Sequence, residues 1–199
     1  MGETRREYSL MDVPSIKGLT LGPTCDRVNA LVESGRISRT DLEATLHPQD
    51  LRLLEQRPEP TLWYPIDSVA RLNELLIRES GGDGPKLMRE LGAGAVELLL
   101  QGGGSRLFLD GIRKLGNRAG EALVQLAKLL LNFGAWSYLQ PSPEHAVIEA
   151  REVKALPETL RFAIEGLIQV LVPKFLGMTV IVSSERPAPD RILFDCRVR

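Results

Sequence analysis

Cysteine and histidine are scarce in this sequence, and their scarcity limits the chemistry that the chain can perform. Among its 199 residues there are two cysteines, Cys25 and Cys196, and two histidines, His47 and His145. Proteins of oxidising compartments usually carry denser and evenly paired cysteines, so we expect both thiols to be free. Neither a Cys-x-x-Cys nor a His-Glu-x-x-His pattern occurs, and these patterns are typical of zinc sites. The sequence therefore predicts no metal site.

An excess of charge of one sign and long apolar runs are also missing. Lys and Arg number 25 and Asp and Glu number 26, which leaves a formal net charge of -1. This balance argues against a general polyanion binder. The most apolar stretch, Gly166 to Val182, is interrupted by Gln169, Pro173 and Lys174, whereas a membrane span needs about 20 mostly apolar residues. Since the N-terminus also lacks the apolar core of a secretory signal, we predict a cytoplasmic protein without a membrane span.

The segment Arg57-Pro58-Glu59-Pro60 is the best candidate for a linker, because two prolines so close together forbid a continuous helix. It divides the chain into a front piece, residues 1–57, with a strand and small helices, and a body, residues 61–199. We expect the front piece to pack on the body, so that both form one cooperative domain.

The spacing of apolar residues predicts helices through most of the chain. In the front piece we expect a strand over Ser15 to Leu21, then a helix that starts at Gly22-Pro23-Thr24, and short helices that begin at Ser38 and Pro48. The helices of the body are expected at Val69 to Arg78, Leu87 to Leu100, Leu107 to Ile112, Ala122 to Phe133 and Leu156 to Leu171.

The second half of the chain also contains residue patterns typical of strands. Trp136 and Tyr138 begin this region, and two strands are expected around the turn Pro141-Ser142-Pro143; a terminal hairpin is expected over Met178 to Ser183 and Arg191 to Val198. Strands grouped in this way, with helices on one face, predict an α+β fold. We expect a helical layer packed on a small antiparallel sheet, with an N-terminal strand and short helices.

Two features suggest other functions but have simpler explanations. The helices predicted within Arg27 to Leu46 are arranged like a helix-turn-helix, in which Arg36 and Arg39 would contact DNA. The second of them also carries Asp41 and Glu43, and the chain has no basic excess for phosphate contacts, so a plain helical pair is favoured. Glycine clusters at 91–95 and 101–105 lack the Lys-Ser/Thr pair of a phosphate loop, and a helix-packing glycine and a loop explain them better.

The sequence contains no recognisable catalytic site. A Gly-x-Ser-x-Gly elbow is absent, and both histidines stand beside turn residues, where an exposed histidine is the ordinary case. A carboxylate pair such as Glu149 and Glu152 is better explained as a charged strand face in water. Because function must be argued from a site, we predict that the protein is not an enzyme.

Aromatic residues make up 5% of the chain, and two pairs of them stand at junctions. Trp63 and Tyr64 follow the linker, and Trp136 and Tyr138 lie where helices give way to strands. Docking of the front piece on the body is favoured over a ligand pocket as their role. If a pocket lies between helices and sheet, the expected ligand-binding residues are Trp63, Tyr64, Leu126, Leu130, Phe133 and Trp136, and the expected walls are the helices Leu123 to Phe133 and Leu160 to Leu171.

Several short motifs resemble an uncharacterised protein family abundant in myxobacteria. They are Ile16-Lys17-Gly18-Leu19, the stretch His47-Pro48-Gln49-Asp50-Leu51-Arg52-Leu53-Leu54, Trp63-Tyr64-Pro65 and Leu87-Met88-Arg89-Glu90-Leu91-Gly92. The back two thirds of the chain is also similar, more distantly, to the superfamily of haem nitric-oxide sensor domains, vinyl-reductase-type small-molecule sensors and transport-complex subunits. That resemblance implies ligand sensing or protein docking rather than catalysis. Haem and zinc are not carried over, because the predicted helices offer no axial histidine and Cys196 has no nearby cysteine partner.

Together these patterns lead us to expect a non-enzymatic cytoplasmic sensory or adaptor domain without a cofactor, which binds a small apolar ligand between helices and sheet. The alternative is a structural protein–protein interaction module whose interior is filled by Leu and Phe. The expected partner is another protein or a second copy of this chain, and not nucleic acid. A helix-turn-helix DNA binder and an enzyme are less favoured.

Overall fold

The structure, a computed structural model, describes residues 13–101 and 119–199. The helix expected at Leu107 to Ile112 and the glycine cluster that follows Gln101 lie outside the described residues. The elements, in chain order, are β1 (Ser15–Lys17), α1 (Gly18–Glu33), α2 (Arg39–Thr45), α3 (Pro48–Glu55), β2 (Trp63–Pro65), α4 (Ile66–Ser80), α5 (Gly84–Gln101), α6 (Ala119–Leu130), β3 (Ala135–Ser142), β4 (His145–Arg151), α7 (Glu158–Leu176), β5 (Val180–Ala188) and β6 (Arg191–Val198).

The first strand is shorter than predicted, because α1 begins at Gly18 and includes Pro23 instead of starting there. The cause is a tertiary contact that local patterns do not reveal. The amides of Gly18 and Leu19 donate to the backbone carbonyls of Leu62 and Pro60, at 3.0 and 3.2 Å. These bonds satisfy amides that otherwise need a capping side chain, so the helix starts where the linker passes.

Three other helix boundaries agree with those predicted from the sequence. The Ser38 hydroxyl accepts a hydrogen bond from the Asp41 amide at 3.1 Å and caps α2, and Pro48 is the first residue of α3. Gly81 ends α4 in the left-handed conformation, with φ 64°. Further along, α6 ends before Phe133 and α7 continues past Leu171, so these two helices differ from the prediction at their C-terminal ends.

The strands of the second half form one antiparallel sheet in the order β3-β4-β6-β5. Trp136 pairs with Ala150, and Ile148 pairs with Phe194, so these residues share the face that packs against the helices. On this face the rings of Trp136 and Phe194 stack with their centroids 6.2 Å apart. The α+β fold, with a helical layer on a small antiparallel sheet, is thereby confirmed.

The front piece joins the body through a second, two-stranded sheet. In it β1 and β2 run antiparallel and Ile16 pairs with Tyr64. Ile16 also forms an isolated bridge with Leu131, and the amide of Ser15 donates to the Asn132 side chain at 2.6 Å. One continuous hydrophobic cluster contains buried residues from both sides of the linker. The linker therefore connects two parts of a shared core.

Helices α5 and α7 approach each other so closely that their backbones touch. A Cβ atom on Gly92 would lie 1.8 Å from the carbonyl oxygen of Ala163, and one on Gly166 would lie 2.0 Å from the carbonyl oxygen of Arg89. Real Cβ atoms never come so near to another atom, so glycine is required at both positions. The expectation that Gly92 serves helix packing is confirmed.

A buried ion pair fixes α3 to α4. The side chain of Asp50 is fully buried, and Arg71 donates to its two oxygens from Nε and Nη2, at 2.6 and 2.9 Å. Burial raises the pKa of the Asp50 carboxyl, but hydrogen bonds from Arg71, Ser68 and the His47 amide outweigh burial and hold this pKa below its ordinary value. The charged form of Asp50 thus stabilises the fold.

We expect Gly92→Ala to lower the free energy of unfolding by about 2–3 kcal/mol, because the new methyl group forces α5 away from α7. Gly94→Ala is the matched control on the same helix. A Cβ on Gly94 meets no atom within 4 Å, so alanine should raise stability by up to about 1 kcal/mol through helix propensity. Urea unfolding measures both variants, and equal effects would contradict the backbone contact.

Asp50→Asn should lower the free energy of unfolding by about 2–3 kcal/mol at neutral pH, because it leaves the Arg71 charge without its partner. Asp26, in an exposed pair with Arg57, is the control, and Asp26→Asn should cost less than about 1 kcal/mol.

The stabilisation from Asp50 also depends on pH with a definite sign. Since its folded pKa is depressed, the contribution is complete above the ordinary carboxyl pKa of about 3.9 and is lost as pH falls through the lower folded value. Urea unfolding between neutral pH and the acid limit should show a shallower decline in Asp50→Asn than in the wild type. A parallel decline in both proteins would contradict this assignment.

Candidate functional site

A cavity lies between the helices and the apolar face of the four-stranded sheet. The volume in which the centre of a water molecule can be placed is about 80 Å³, and the cavity is partly open to solvent. A single buried water needs about 10–15 Å³ by this kind of measure, and an engineered apolar cavity of about 150 Å³ holds benzene. The cavity therefore has room for a small organic molecule.

Three helices provide most of the cavity wall. On α6 the side chains of Leu123, Leu126, Ala127 and Leu130 recur at helical spacing and line the space together. The other lining residues on α5 and α7 are also mostly apolar: Met88, Leu91, Gly92 and Ala95 on α5, and Leu160, Ala163, Ile164, Leu167 and Ile168 on α7. The contact at Gly92 sets how near these two walls stand. Trp136 and Ile148 contribute from the sheet.

A small cluster of polar side chains lies where α1 and α4 reach the cavity. Asn73 is buried, although it lies beside the apolar stripe of α4. Its Oδ1 accepts from the Thr24 hydroxyl at 3.4 Å, and its Nδ2 donates to the Thr159 hydroxyl at 3.4 Å. Thr20, which also lines the cavity, donates to the carbonyl oxygen of Lys17 at 2.7 Å. These polar groups have partners within the protein.

Trp136 is different, because its polar atom has no partner. Its side chain is buried, lines the cavity and stacks on Phe194. The indole Nε1 makes no hydrogen bond, and it is the only buried side-chain nitrogen or oxygen of the described residues in that state. An unsatisfied buried donor costs about 1–3 kcal/mol. The described lining of the cavity is thus mostly apolar, and none of these residues is ionisable.

Three of the six expected ligand-binding residues line this cavity, namely Leu126, Leu130 and Trp136, and the other three do not. Trp63 lies under the ammonium group of Lys17, 3.9 Å from the ring centroid. The Tyr64 hydroxyl accepts from the Glu59 amide at 2.9 Å, and Phe133 packs on the main hydrophobic cluster. Pairing of β2 with β1 holds Trp63 and Tyr64 at the junction of front piece and body, away from the cavity.

Sequence reasoning missed the residues that give the cavity its shape and polarity: Thr20, Thr24, Asn73, Met88 and, as part of a cavity wall, Gly92. One signal was present, because Asn73 follows Val69 at helical spacing on an otherwise apolar stripe. A polar residue in such a place either has a buried partner or serves a ligand. Thr24 and Met88 carry no signal of this kind.

Three side chains that were considered for catalysis or DNA binding have hydrogen-bond or ion-pair partners away from the cavity. His145 bonds to Asp195 through Nε2 and Oδ2, 2.8 Å apart, on the opposite face of the sheet from Trp136. Arg197 and His145 hold the pKa of that carboxyl below its usual range, although partial burial opposes them. In the proposed helix-turn-helix, Arg36 donates to the carbonyl oxygen of Glu79 at 2.6 Å, and Arg39 pairs with glutamates.

Neither cysteine has the features of a nucleophile or a metal ligand. Cys25 and Cys196 are both free and buried. Burial, with a smaller effect from a neighbouring aspartate, raises the pKa of each thiol to about 12, whereas reactive cysteines have a lowered pKa. Within residues 13–101 and 119–199, no three His, Cys, Asp or Glu side chains are grouped so that they could hold a metal ion. In the same ranges no helix has the length and apolar character that crossing a membrane requires.

The fold resembles that of solved H-NOX structures. An Fe(II) unliganded H-NOX protein from K. algicida superposes with a TM-score of 0.59 and 12% identity, over 92% of this chain and 97% of that one. A variant of the T. tengcongensis H-NOX protein gives 0.61 and 14% over 92% and 98%. An oxygen-binding H-NOX domain related to soluble guanylate cyclases gives 0.56 and 14% over 92% and 95%.

Sequence identities as low as these show a shared fold only. The function therefore has to be argued from the site. The expected similarity to haem nitric-oxide sensor domains is thereby confirmed as a similarity of fold. No family model matches the sequence, and no curated protein matches it either. The resemblance to a myxobacterial family stays a prediction.

Proposed function

We propose that this chain is a non-enzymatic sensory domain that binds a small, uncharged and mostly apolar molecule in the cavity. The observation that carries the proposal is the cavity itself, which is bounded by α5, α6, α7 and the sheet and is lined by described residues without a charged group. Apolar contacts supply most of the binding free energy in a pocket of this kind.

The H-NOX-like fold supports a sensory function over catalysis. One neighbour of known structure is an oxygen-binding domain related to soluble guanylate cyclases, and this chain shares its architecture. The His145–Asp195 pair lies on the other face of the sheet from the cavity, so an occupant of the cavity does not meet it. A cytoplasmic location and a protein partner or homodimer through which a signal would pass stay predictions.

Haem, the group implied by the fold family, does not fit this cavity as the described residues line it. Haem iron is held by His, Cys or Tyr, or by Met together with His. Among the described side chains of these types, Met88 alone lines the cavity. His47 stands at the N-terminus of α3 and His145 on the outer face of the sheet.

Size and charge also argue against haem. The accessible space of about 80 Å³ is of the same order as the cavity of about 150 Å³ that holds benzene, and a haem is several times larger than benzene. Its two propionates need cationic or strongly polar partners when buried, while the described lining offers Thr20, Thr24 and Asn73 as its polar side chains besides the Trp136 indole. The ligand that we propose is therefore much smaller than haem and carries no charge.

The competing function is a structural interaction module with a filled interior. It differs from a sensor in one measurable respect, because a solid core does not take up small molecules. The choice between the two functions therefore depends on whether the cavity admits a ligand in solution.

We expect benzene to stabilise the wild-type protein and to lose this effect when the cavity is filled. At ten times its Kd, a ligand adds about 1.4 kcal/mol to the free energy of unfolding, which corresponds to a rise in Tm of roughly 3–6 °C for a protein of this size. Ala127→Leu places a larger side chain on the cavity wall and should abolish the rise.

The matched control for this experiment is Ala30→Leu, the same exchange at an exposed position of α1. It should keep the full rise in Tm, because it leaves the cavity unchanged. If benzene fails to stabilise the wild type at any soluble concentration, or stabilises Ala127→Leu equally, then the cavity is not a ligand site and the structural module is the better account.

A haem titration should give a negative result. Purified protein mixed with haemin is expected to show no saturable one-to-one absorbance band of bound haem, because no described axial ligand apart from Met88 reaches the cavity. Met88→Leu removes that sulfur and should give the same spectrum as the wild type. A stoichiometric band that disappears in Met88→Leu would contradict the assignment of a smaller, uncharged ligand.

A further inference from the structure

We infer that the ligand carries a hydroxyl group and that this group donates a hydrogen bond to the side-chain oxygen Oδ1 of Asn73. This inference rests on the proposed function, since it requires that the cavity be a ligand site. It goes further by giving the chemical class of the ligand, a neutral alcohol or phenol about the size of benzene, and by naming the residue that recognises it.

The first step of the argument is the position of the Asn73 amide beside the cavity. Asn73 lines the cavity, and so does Val69, one helical turn before it on α4. Thr24, whose hydroxyl donates to Oδ1 of Asn73, also lines the cavity, as does Thr20, one turn before Thr24 on α1. Thr159, which accepts from Nδ2, does not line it. The Oδ1 end of the amide is therefore the end on the cavity side.

The second step is that the protein partners of this amide are far away. The distance from Thr24 Oγ1 to Asn73 Oδ1 is 3.4 Å, and that from Asn73 Nδ2 to Thr159 Oγ1 is also 3.4 Å. Ordinary O–H···O and N–H···O bonds are about 2.5–3.2 Å long, so both contacts are weak. Because Asn73 is buried, poorly bonded amide atoms cost free energy. A ligand hydroxyl at ordinary distance from Oδ1 recovers part of this cost.

The third step is the kind of hydrogen-bonding capacity that remains. An amide oxygen can accept two hydrogen bonds, and so can a hydroxyl oxygen. Within the described part of the chain, Oδ1 of Asn73 accepts one bond, and the hydroxyls of Thr20 and Thr24 donate one each and accept none. The second N–H of Asn73 belongs to Nδ2, at the end towards Thr159. The cavity side thus offers acceptors, which select a ligand that donates over a ketone or an ether.

The fourth step excludes a charged donor. An ammonium group would also donate to Asn73, but none of the described lining residues carries a negative charge. Transfer of an ionised group to an apolar site without a partner costs far more than one hydrogen bond returns. A hydroxyl group donates without a charge. The rest of the ligand is hydrocarbon, because the other lining residues are mostly apolar, and the space limits it to about the size of benzene.

The test compares phenol with toluene, which have the same number of heavy atoms and differ in the hydroxyl group. The Kd of each is measured for the wild type and for Asn73→Leu, which removes the amide and keeps the number of side-chain heavy atoms. We expect phenol to bind about fivefold to tenfold more weakly to the variant, whereas toluene should bind equally well or more tightly. A change of the same size for both ligands, or an unchanged Kd for phenol, would overturn the inference.

The matched control is Thr159→Val, which removes the partner of Asn73 that does not line the cavity. This variant leaves Oδ1 in place, so the ratio of the two Kd values should stay as in the wild type. If Thr159→Val weakens phenol binding as much as Asn73→Leu does, then Asn73 acts through the contact between α4 and α7 and the assigned bond to the ligand is wrong.

A second measurement does not depend on whether Asn73→Leu folds. In a crystal structure of the wild type with phenol bound, the hydroxyl oxygen should lie about 2.5–3.0 Å from Asn73 Oδ1. The ring should contact the leucine side chains of α6. Phenol bound in the cavity with its hydroxyl group beyond hydrogen-bond distance of Asn73 would contradict the inference.

The two proposals fail in different ways in these experiments. If toluene and phenol both fail to bind the wild type, the cavity is not a ligand site and the proposed function is wrong. If toluene binds, and phenol either does not bind or binds without dependence on Asn73, the cavity remains a ligand site and only the assignment of a hydroxyl group is overturned.

Discussion

The contact between the backbones of α5 and α7 is the constraint on which the rest of the structure depends. Two helices with side chains at the crossing stay far enough apart to separate their main chains, whereas Gly92 and Gly166 let the main chains touch. Because both helices also line the cavity, their separation fixes its width. The buried carboxylate of Glu165, beside Gly166, reinforces the crossing through its ion pair with Arg89, in which Nε and Oε2 are 2.6 Å apart. The shape of the cavity is thus determined mainly by the backbone contact between α5 and α7 and only secondarily by the choice of apolar side chains.

The narrow cavity over the sheet limits the kind of molecule that can bind in it. Helices and strands that share one apolar core usually fill the space between them with side chains at close to crystal density. Here α6 and α7 present leucine, isoleucine and alanine to the sheet, and some space remains in front of Trp136. With no charged group among the described lining residues, this space favours neutral molecules. The shared H-NOX architecture therefore coexists with a site whose size and donor atoms do not suit a haem.

Sequence patterns predicted the fold class and most helices, because amphipathic spacing and capping residues such as Ser38 and Pro48 act locally. They failed at the start of α1, where carbonyl groups of Pro60 and Leu62 replace a capping side chain. For the cavity, the apolar residues Leu126 and Leu130 and the junction residue Trp136 were foreseeable from composition and position. The place of Trp63 was not, because it depends on the pairing of β1 with β2.

The most direct test of this account is a crystal structure of the protein under xenon pressure. Xenon enters apolar cavities without requiring any hydrogen bond, so it reports on the space alone. The account predicts xenon density between α5, α6, α7 and Trp136, with Gly92 and Gly166 in contact with the facing backbone. A structure in which leucine side chains close this space and exclude xenon would contradict it.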